Sequence, residues 1–260
     1  MLKSTFQHIP GVGVKTERNL WLNGCGCWDE YIEKRDLLAL RYCRRIHASV
    51  LESKSRLKNL DHGYFRKRLP PSLVWRAYRD FKDHACFIDI ETTGLSPEND
   101  YVTCACLHSV NETKSYVLGL NLHEIREDLK KYNYIVSFNG ARFDLPFLSR
   151  QLNLVFSHLH WDLMYCFHEL GFFGGLKVIE QRLGVSRESE GVGGLDAVRL
   201  WQAYKDKKRV SVAGQTVGGE EALKLLVEYN REDTVNLKDL ADYAYDNLRQ
   251  KTLSFNPTSQ

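Results

Sequence analysis

The chain has 260 residues, 43% hydrophobic and 27% charged, with a net charge of +3, the balance of a globular protein able to bury a core. No apolar run approaches the roughly 20 residues of a membrane helix, and the first residues lack the apolar core of a signal peptide, so a cytoplasmic protein with no membrane partner is expected. Seven cysteines, an odd number scattered over positions 25 to 166, are expected to be reduced thiols.

In chain order, the first signal is Pro10-Gly11-Val12-Gly13, followed by a helical pattern and closed by Gly24. Glycines at such a turn let the backbone approach a ligand closely, and the pattern after it predicts a short helix with Leu20 and Trp21 for its buried side. The stretch resembles the helix-hairpin-helix, a module that holds nucleic-acid backbone through loop amides. That resemblance implies that Gly11 and Gly13 aim backbone N–H groups, and Lys15 a positive charge, at a phosphate. Glu17 stands where the module often has a small residue.

Residues 29 to 60 predict one or two amphipathic helices, with Ile32, Leu37, Leu40, Ile46, Val50 and Leu51 as apolar positions. Between Tyr31 and Lys82 fourteen Lys/Arg stand against five Asp/Glu, a local balance of +9 that leaves the rest of the chain at −6. These cations are interleaved with Tyr42, Tyr64, Phe65 and Trp75, a pattern that points to a polyanionic partner. Pro70-Pro71 then punctuates the chain. The expected division is a basic helical region at 1–80, a second domain at 81–250 and a flexible tail at 251–260.

The run from Ala85 to Ile90 reads as a buried central strand into which Asp89 and Glu91 intrude. Strand side chains alternate, so the two acids share one face while Ile88 and Ile90 take the other. Like charges this close in a partly dry place are kept ionised most readily by a divalent cation, and a metal site is expected here. Further strands are expected at 101–108, 114–119 and 134–138. Helices are expected at about 121–131, 142–152, 162–170, 175–183, 195–204 and 219–248, with a ribbon or mobile loop inside Lys205 to Gly219. Three strands followed by helix, strand and helix make an α/β fold, a mixed sheet covered by helices. Cys104 and Cys106 share the C-x-C spacing of Cys25 and Cys27, narrower than structural zinc sites prefer, and small residues on one strand face need no ligand.

Asn139-Gly140 builds a turn, and Asp144 falls in the first turn of the following helix, where the macrodipole favours an acid in any case. Tyr229 and Asp233, four apart, occupy one face of the last helix. Asp162 reads as a helix N-cap, Glu232 as pointing away from the acids, and Arg142 as either a phosphate contact or an exposed helix face.

Taken together, D-x-E on a strand, N-x-x-x-F-D at a strand-to-helix turn and Y-x-x-x-D on a late helix resemble the DEDD (DnaQ-like) superfamily of 3′-5′ exonucleases, in its tyrosine-bearing subclass, over about residues 84 to 248. The fold implied is ribonuclease H-like, preceded by a small all-α region. The chain is most similar to the YprB-like group, in which a helix-hairpin-helix-like segment precedes the nuclease domain. Gly174-Gly175-Leu176-Lys177 and Leu195 to Tyr204 add to the likeness, and residue 228 is Glu where the histidine-bearing subclass would need His. The resemblance implies that Asp89, Glu91, Asp144 and Asp233 hold two Mg2+ or Mn2+ ions and that Tyr229 positions or activates the attacking water. It further implies contacts to nucleic acid from Thr92, Asn139, Phe143 and Lys177, with single-stranded DNA favoured and RNA possible. A structure-selective endonuclease, an RNA 3′-exonuclease and a silent nuclease domain that only binds nucleic acid are the alternatives.

Overall fold

The computed structural model describes residues 1–34, 43–187 and 191–254. Internal contacts divide the chain into two compact units, Met1–Lys82 with Ser157–His160, and Asp83–Phe156 with Trp161–Gln260.

The first unit carries helices α1 (Val14–Leu22), α2 (Trp28–Lys34), α3 (Cys43–Lys58) and α4 (His62–Arg68), a 3-10 stretch at Pro71–Ala77, and the short α5 (Tyr78–Phe81). Gly11 turns the chain into α1 with φ +88°, a conformation that favours glycine. Gly11, Gly13 and Lys15 are exposed there, and the element before the turn is a single 3-10 turn, Leu2–Ser4. Leu20 is buried as expected, whereas Trp21 is half-buried and donates its indole N–H to the Ser4 carbonyl at 2.9 Å. Glu17 is 1% exposed: it accepts from Phe6 N at 2.7 Å and pairs with Arg76 at 2.9 Å. The residue that is unusual for an anion-binding loop is therefore a buried anchor of this unit. Ile46 and Val50 are buried and Leu51 is exposed; Leu37, Leu40 and Tyr42 lie outside the described residues.

The second unit holds most of a mixed five-stranded sheet, whose last strand takes its first two residues from the segment grouped with the first unit. Its strands are β1 (Ala85–Thr92), β2 (Val102–His108), β3 (Thr113–Val117), β4 (Tyr134–Ser137) and β5 (Leu159–Asp162), in the order β3-β2-β1-β4-β5. β1 runs antiparallel to β2 and parallel to β4, so the acid-bearing strand is central. Between β3 and β4 comes a 3-10 turn, Leu122–Glu124, and α6 (Ile125–Leu129), a shorter and less regular element than the helix expected there. The chain continues through α7 (Asp144–Leu152), α8 (Leu163–Glu169), α9 (Leu176–Leu183), α10 (Gly194–Asp206), a ribbon of β6 (Arg209–Val212) and β7 (Gln215–Gly218), and α11 (Glu220–Leu253). At 34 residues, α11 is about 51 Å long. It reaches Leu253, so the first residues of the expected tail are helical; residues 255–260 lie outside the described residues. No helix among the described residues is long and apolar enough to cross a membrane.

β5 is the strand that pattern reading misses. Its four residues, Leu-His-Trp-Asp, are too few to show an alternation, and Asp162 ends the strand before it caps α8.

The two sheet faces bury different cores. Ile88 and Ile90 join Ile125, Ile135, Phe147 and Leu148 beneath α6 and α7. On the other face Cys104 packs with Leu200, Trp201, Leu226 and Tyr229 of α10 and α11. The alternation along β1 thus sends its isoleucines into one core and its acids toward α11.

Candidate active site

Asp89 and Glu91 come from β1, and Asp233 from α11, which packs across that strand. One carboxylate oxygen from each lies within 4.8 Å of the others. From the same stretch of α11, Asn230 donates from Nδ2 to Asp89 Oδ2 at 2.7 Å. Asn230 is 1% exposed, and its Oδ1 has no hydrogen-bond partner among the described residues. Tyr229 is buried on the same helix, one turn before Asp233, close enough for that carboxylate to raise its phenol.

Asp144 lies outside the 4.8 Å set but next to it. It is 3% exposed at the start of α7, where two backbone N–H groups, its own first and then that of Ile90, favour its ionised form against burial. The turn that places it is held from below by Asp162, which accepts from Asn139 N at 2.8 Å and Ala141 N at 3.1 Å. The same carboxylate caps α8 through Met164 N, as expected from the sequence; its hold on the Asn139-Gly140-Ala141 turn was not foreseen. Asn139 is left-handed at φ +62°, which asparagine tolerates. Gly140 has no room for a side chain, since a Cβ there would lie 2.1 Å from Ser137 Oγ and 3.2 Å from Asp144 Oδ2.

The electrostatics follow from burial and crowding. Burial raises the carboxyls of Asp89 and Glu91 well above the usual range, and the charges of Asp144 and Asp233 raise both further. Burial pushes Asp144 up to about 7. Asp233 is raised by burial too, with Arg187 pulling the other way. The Tyr229 phenol is raised by burial and by the surrounding acids, Asp233 first, so it stays protonated at any physiological pH. Such a cluster is short of cations.

Two cations approach it. Lys177 Nζ donates to the Val192 carbonyl and sits 4.3 Å from the Tyr229 ring centre. Arg187 donates to both Asp233 and Glu180, and Glu232 lies 3.7 Å from its Nη2. Glu232, expected to point away, therefore joins the rim of the site, because an arginine one loop away reaches across to it. Nothing in the sequence marks Arg187, which follows α9 and is 46 positions from Asp233.

Of the residues expected at nucleic acid, Thr92 is buried and donates to the Gly94 carbonyl at 2.5 Å. Phe143 is half-buried with its ring 4.8 Å from that of Phe147. Asn139 shapes the turn, and Lys177 lies at Tyr229.

The donor chemistry fits a hard divalent cation. Three carboxylates form an all-oxygen set, which suits Mg2+ or Mn2+ better than zinc. Cys106 and Cys104 pair in register with Asp89 and Glu91, but burial pushes the Cys106 thiol up to about 11 and Cys104 well above its usual value. Neither supplies a thiolate ligand. Cys25, Cys27, Cys86, Cys104, Cys106 and Cys166 are free thiols.

A family model described as the RNase_H superfamily matches residues 86–245. The chain belongs to the RNase H superfamily. The matched segment holds all four acids and Tyr229, and an RNase H-like sheet with an acidic cluster able to bind a divalent metal is consistent with a nuclease. Among solved structures the chain is similar to the family B DNA polymerase from the hyperthermophilic archaeon Pyrobaculum calidifontis, at 15% identity and a TM-score of 0.44. That similarity covers 60% of this chain and 24% of the polymerase. No curated protein matches the chain.

Proposed function

We propose that this RNase H superfamily chain is a metal-dependent 3′-5′ exonuclease that hydrolyses phosphodiester bonds of nucleic acid, with single-stranded DNA favoured. The observation that carries the proposal is the convergence of Asp89, Glu91 and Asp233 within 4.8 Å, beside the buried Tyr229 on the helix that supplies Asp233. Asp89, Glu91 and Asp233, with Asp144 beside them, would hold two Mg2+ or Mn2+ ions. Bound there, the ions supply charge neutralisation for the phosphoryl transition state and a nucleophilic water at neutral pH.

The chain's own groups do the rest. Tyr229 keeps its proton, so its hydroxyl orients the attacking water as a donor or acceptor and does not act as the base. Asp144 adds its charge to the cluster from the start of α7, and in this proposal it joins the three converging acids in holding the ions. Gly11, Gly13 and Lys15, exposed at the start of α1, and the basic residues of 31–82 supply phosphate affinity in this proposal.

Digestion of 3′-labelled and 5′-labelled single-stranded and duplex DNA and RNA by the full chain, with Mg2+, Mn2+ or chelator, tests polarity, substrate and metal together. Products shortened from the 3′ end only with metal are expected, and activity surviving in Asp89→Ala overturns the site. Tyr229→Phe should retain Mn2+ binding while turnover falls about a hundredfold.

A further inference from the structure

The guanidinium of Arg187 bridges two acids of different character. Asp233 belongs to the 4.8 Å set with Asp89 and Glu91, whereas Glu180 is fully buried, also holds Asn236 Nδ2 at 2.9 Å, and lies outside that set. Arg187 therefore has one attachment inside the acidic cluster and one outside it.

The inner attachment stands in a metal's place. A guanidinium on Asp233 Oδ1 takes one of the two oxygens of an acid that, with Asp89 and Glu91, would hold a cation, and two positive groups at one carboxylate repel each other. The outer attachment survives that conflict, because Glu180 takes no part in the cluster. Arg187 also has a reserve of donors, since its Nε is buried without a hydrogen-bond partner among the described residues. Beside it opens a cleft of about 470 Å3, lined by Ser186, Arg187, Glu228, Arg231, Glu232 and Asn236.

Resting on the metal-dependent function proposed above, we propose that Arg187 is a displaceable counter-ion of Asp233. It holds that carboxylate in the metal-free protein and yields it to the divalent cation. Still tethered to Glu180, it then turns its freed donors to a phosphate of the nucleic acid. In the metal-free chain it offsets part of the crowding among the acids, so the fold can form before metal is loaded. Coupling between two ligands of one site is reciprocal, so if the metal displaces the guanidinium, the guanidinium weakens the metal by the same factor.

The test is Mn2+ binding to the full chain by titration calorimetry, without nucleic acid, in the parent and in R187Q. R187Q is expected to bind Mn2+ roughly tenfold more tightly, although its metal-free form melts at a lower temperature. This sign separates competition from simple support, because loss of a residue that merely positioned Asp233 would weaken the metal. A parent that binds Mn2+ with R187Q equal or weaker overturns the inference alone; a parent that binds no Mn2+ overturns the metal-dependent function and the inference with it. The parent's crystal structure with Ca2+ decides the matter without any variant: Asp233 on the ion and Arg187 on Glu180 supports displacement, and an unbroken Arg187–Asp233 pair overturns it. At saturating Mn2+, R187Q should raise KM for a single-stranded oligonucleotide several-fold and R187K should recover part of it, whereas an unchanged KM removes the phosphate role.

Discussion

Asn230 and Asp89, 141 positions apart in sequence, are joined by a 2.7 Å hydrogen bond from Nδ2 to Oδ2. This bond ties α11 to β1 one position from Tyr229 and three from Asp233, where the helix packs over the strand acids. Asn230→Ala removes a donor from a buried carboxylate and should lower metal-free stability by about 1–3 kcal/mol. It should also weaken Mn2+ binding, since Asp89 is then no longer held by α11 beside Glu91 and Asp233. Urea unfolding in chelator and calorimetry with Mn2+ check both; unchanged affinity would show that the amide acts only on the fold.

Gly140→Ala tests the turn beneath Asp144. The new methyl would meet Ser137, which is fully buried and has nowhere to move, at 2.1 Å and 2.6 Å. Overpacking of this kind costs about 1–3 kcal/mol, and the methyl, 3.2 Å from Asp144 Oδ2, would also push that carboxylate. A clear fall in melting temperature with a loss of metal-dependent cleavage is expected, and a neutral variant would mean that the turn rebuilds freely.

Much of this was legible in the sequence. The alternation in Phe87-Ile88-Asp89-Ile90-Glu91 is a period of two, so it fixes which residues share a face before any partner is known, and the structure sends the isoleucines and the acids to opposite faces. Helix α11 was readable because 34 residues give a long periodic signal. What escaped was set by distant parts of the chain. β5 is four residues long and owes its existence to β4 beside it. Asp162 could be read as a cap from its neighbours, but its bonds to Asn139 and Ala141 span more than twenty positions. Arg187 has no local pattern at all, and Glu232 was placed by helix rotation without knowledge of the cation that reaches it.

Glu17 invites a test of the first unit. Glu17→Ala leaves Arg76, itself 4% exposed, without its carboxylate, and strips the Phe6 amide of its acceptor. Removing one partner of a buried pair costs about 3–5 kcal/mol. The double variant Glu17→Leu, Arg76→Met should be less destabilised than Glu17→Ala, because no charge is then stranded. Equilibrium urea unfolding of the three proteins gives the comparison, and equal losses in both variants would place the anchor's worth in shape alone.

The last prediction concerns proton and metal at the acidic cluster. Burial pushes Asp144 up to about 7 in the folded chain, against roughly 3.9 when unfolded. Between these values the folded state holds a proton that the unfolded state has released, so stability without metal is fully present below about pH 4 and is lost as pH rises through about 7. The span corresponds to roughly 4 kcal/mol for this group, and the raised carboxyls of Asp89, Glu91 and Asp233 act in the same direction. In chelator, the melting temperature of the parent should therefore fall between pH 5.5 and 8, and Asp144→Asn should fall less. Added Mg2+ should raise the parent's melting temperature more at pH 8 than at pH 5.5, because the ion takes ionised carboxylates and does not compete with protons there. Parallel curves for parent and Asp144→Asn in chelator would mean that Asp144 is already ionised in the fold, held so by backbone N–H groups, its own first, and that the cluster is less crowded than its burial implies.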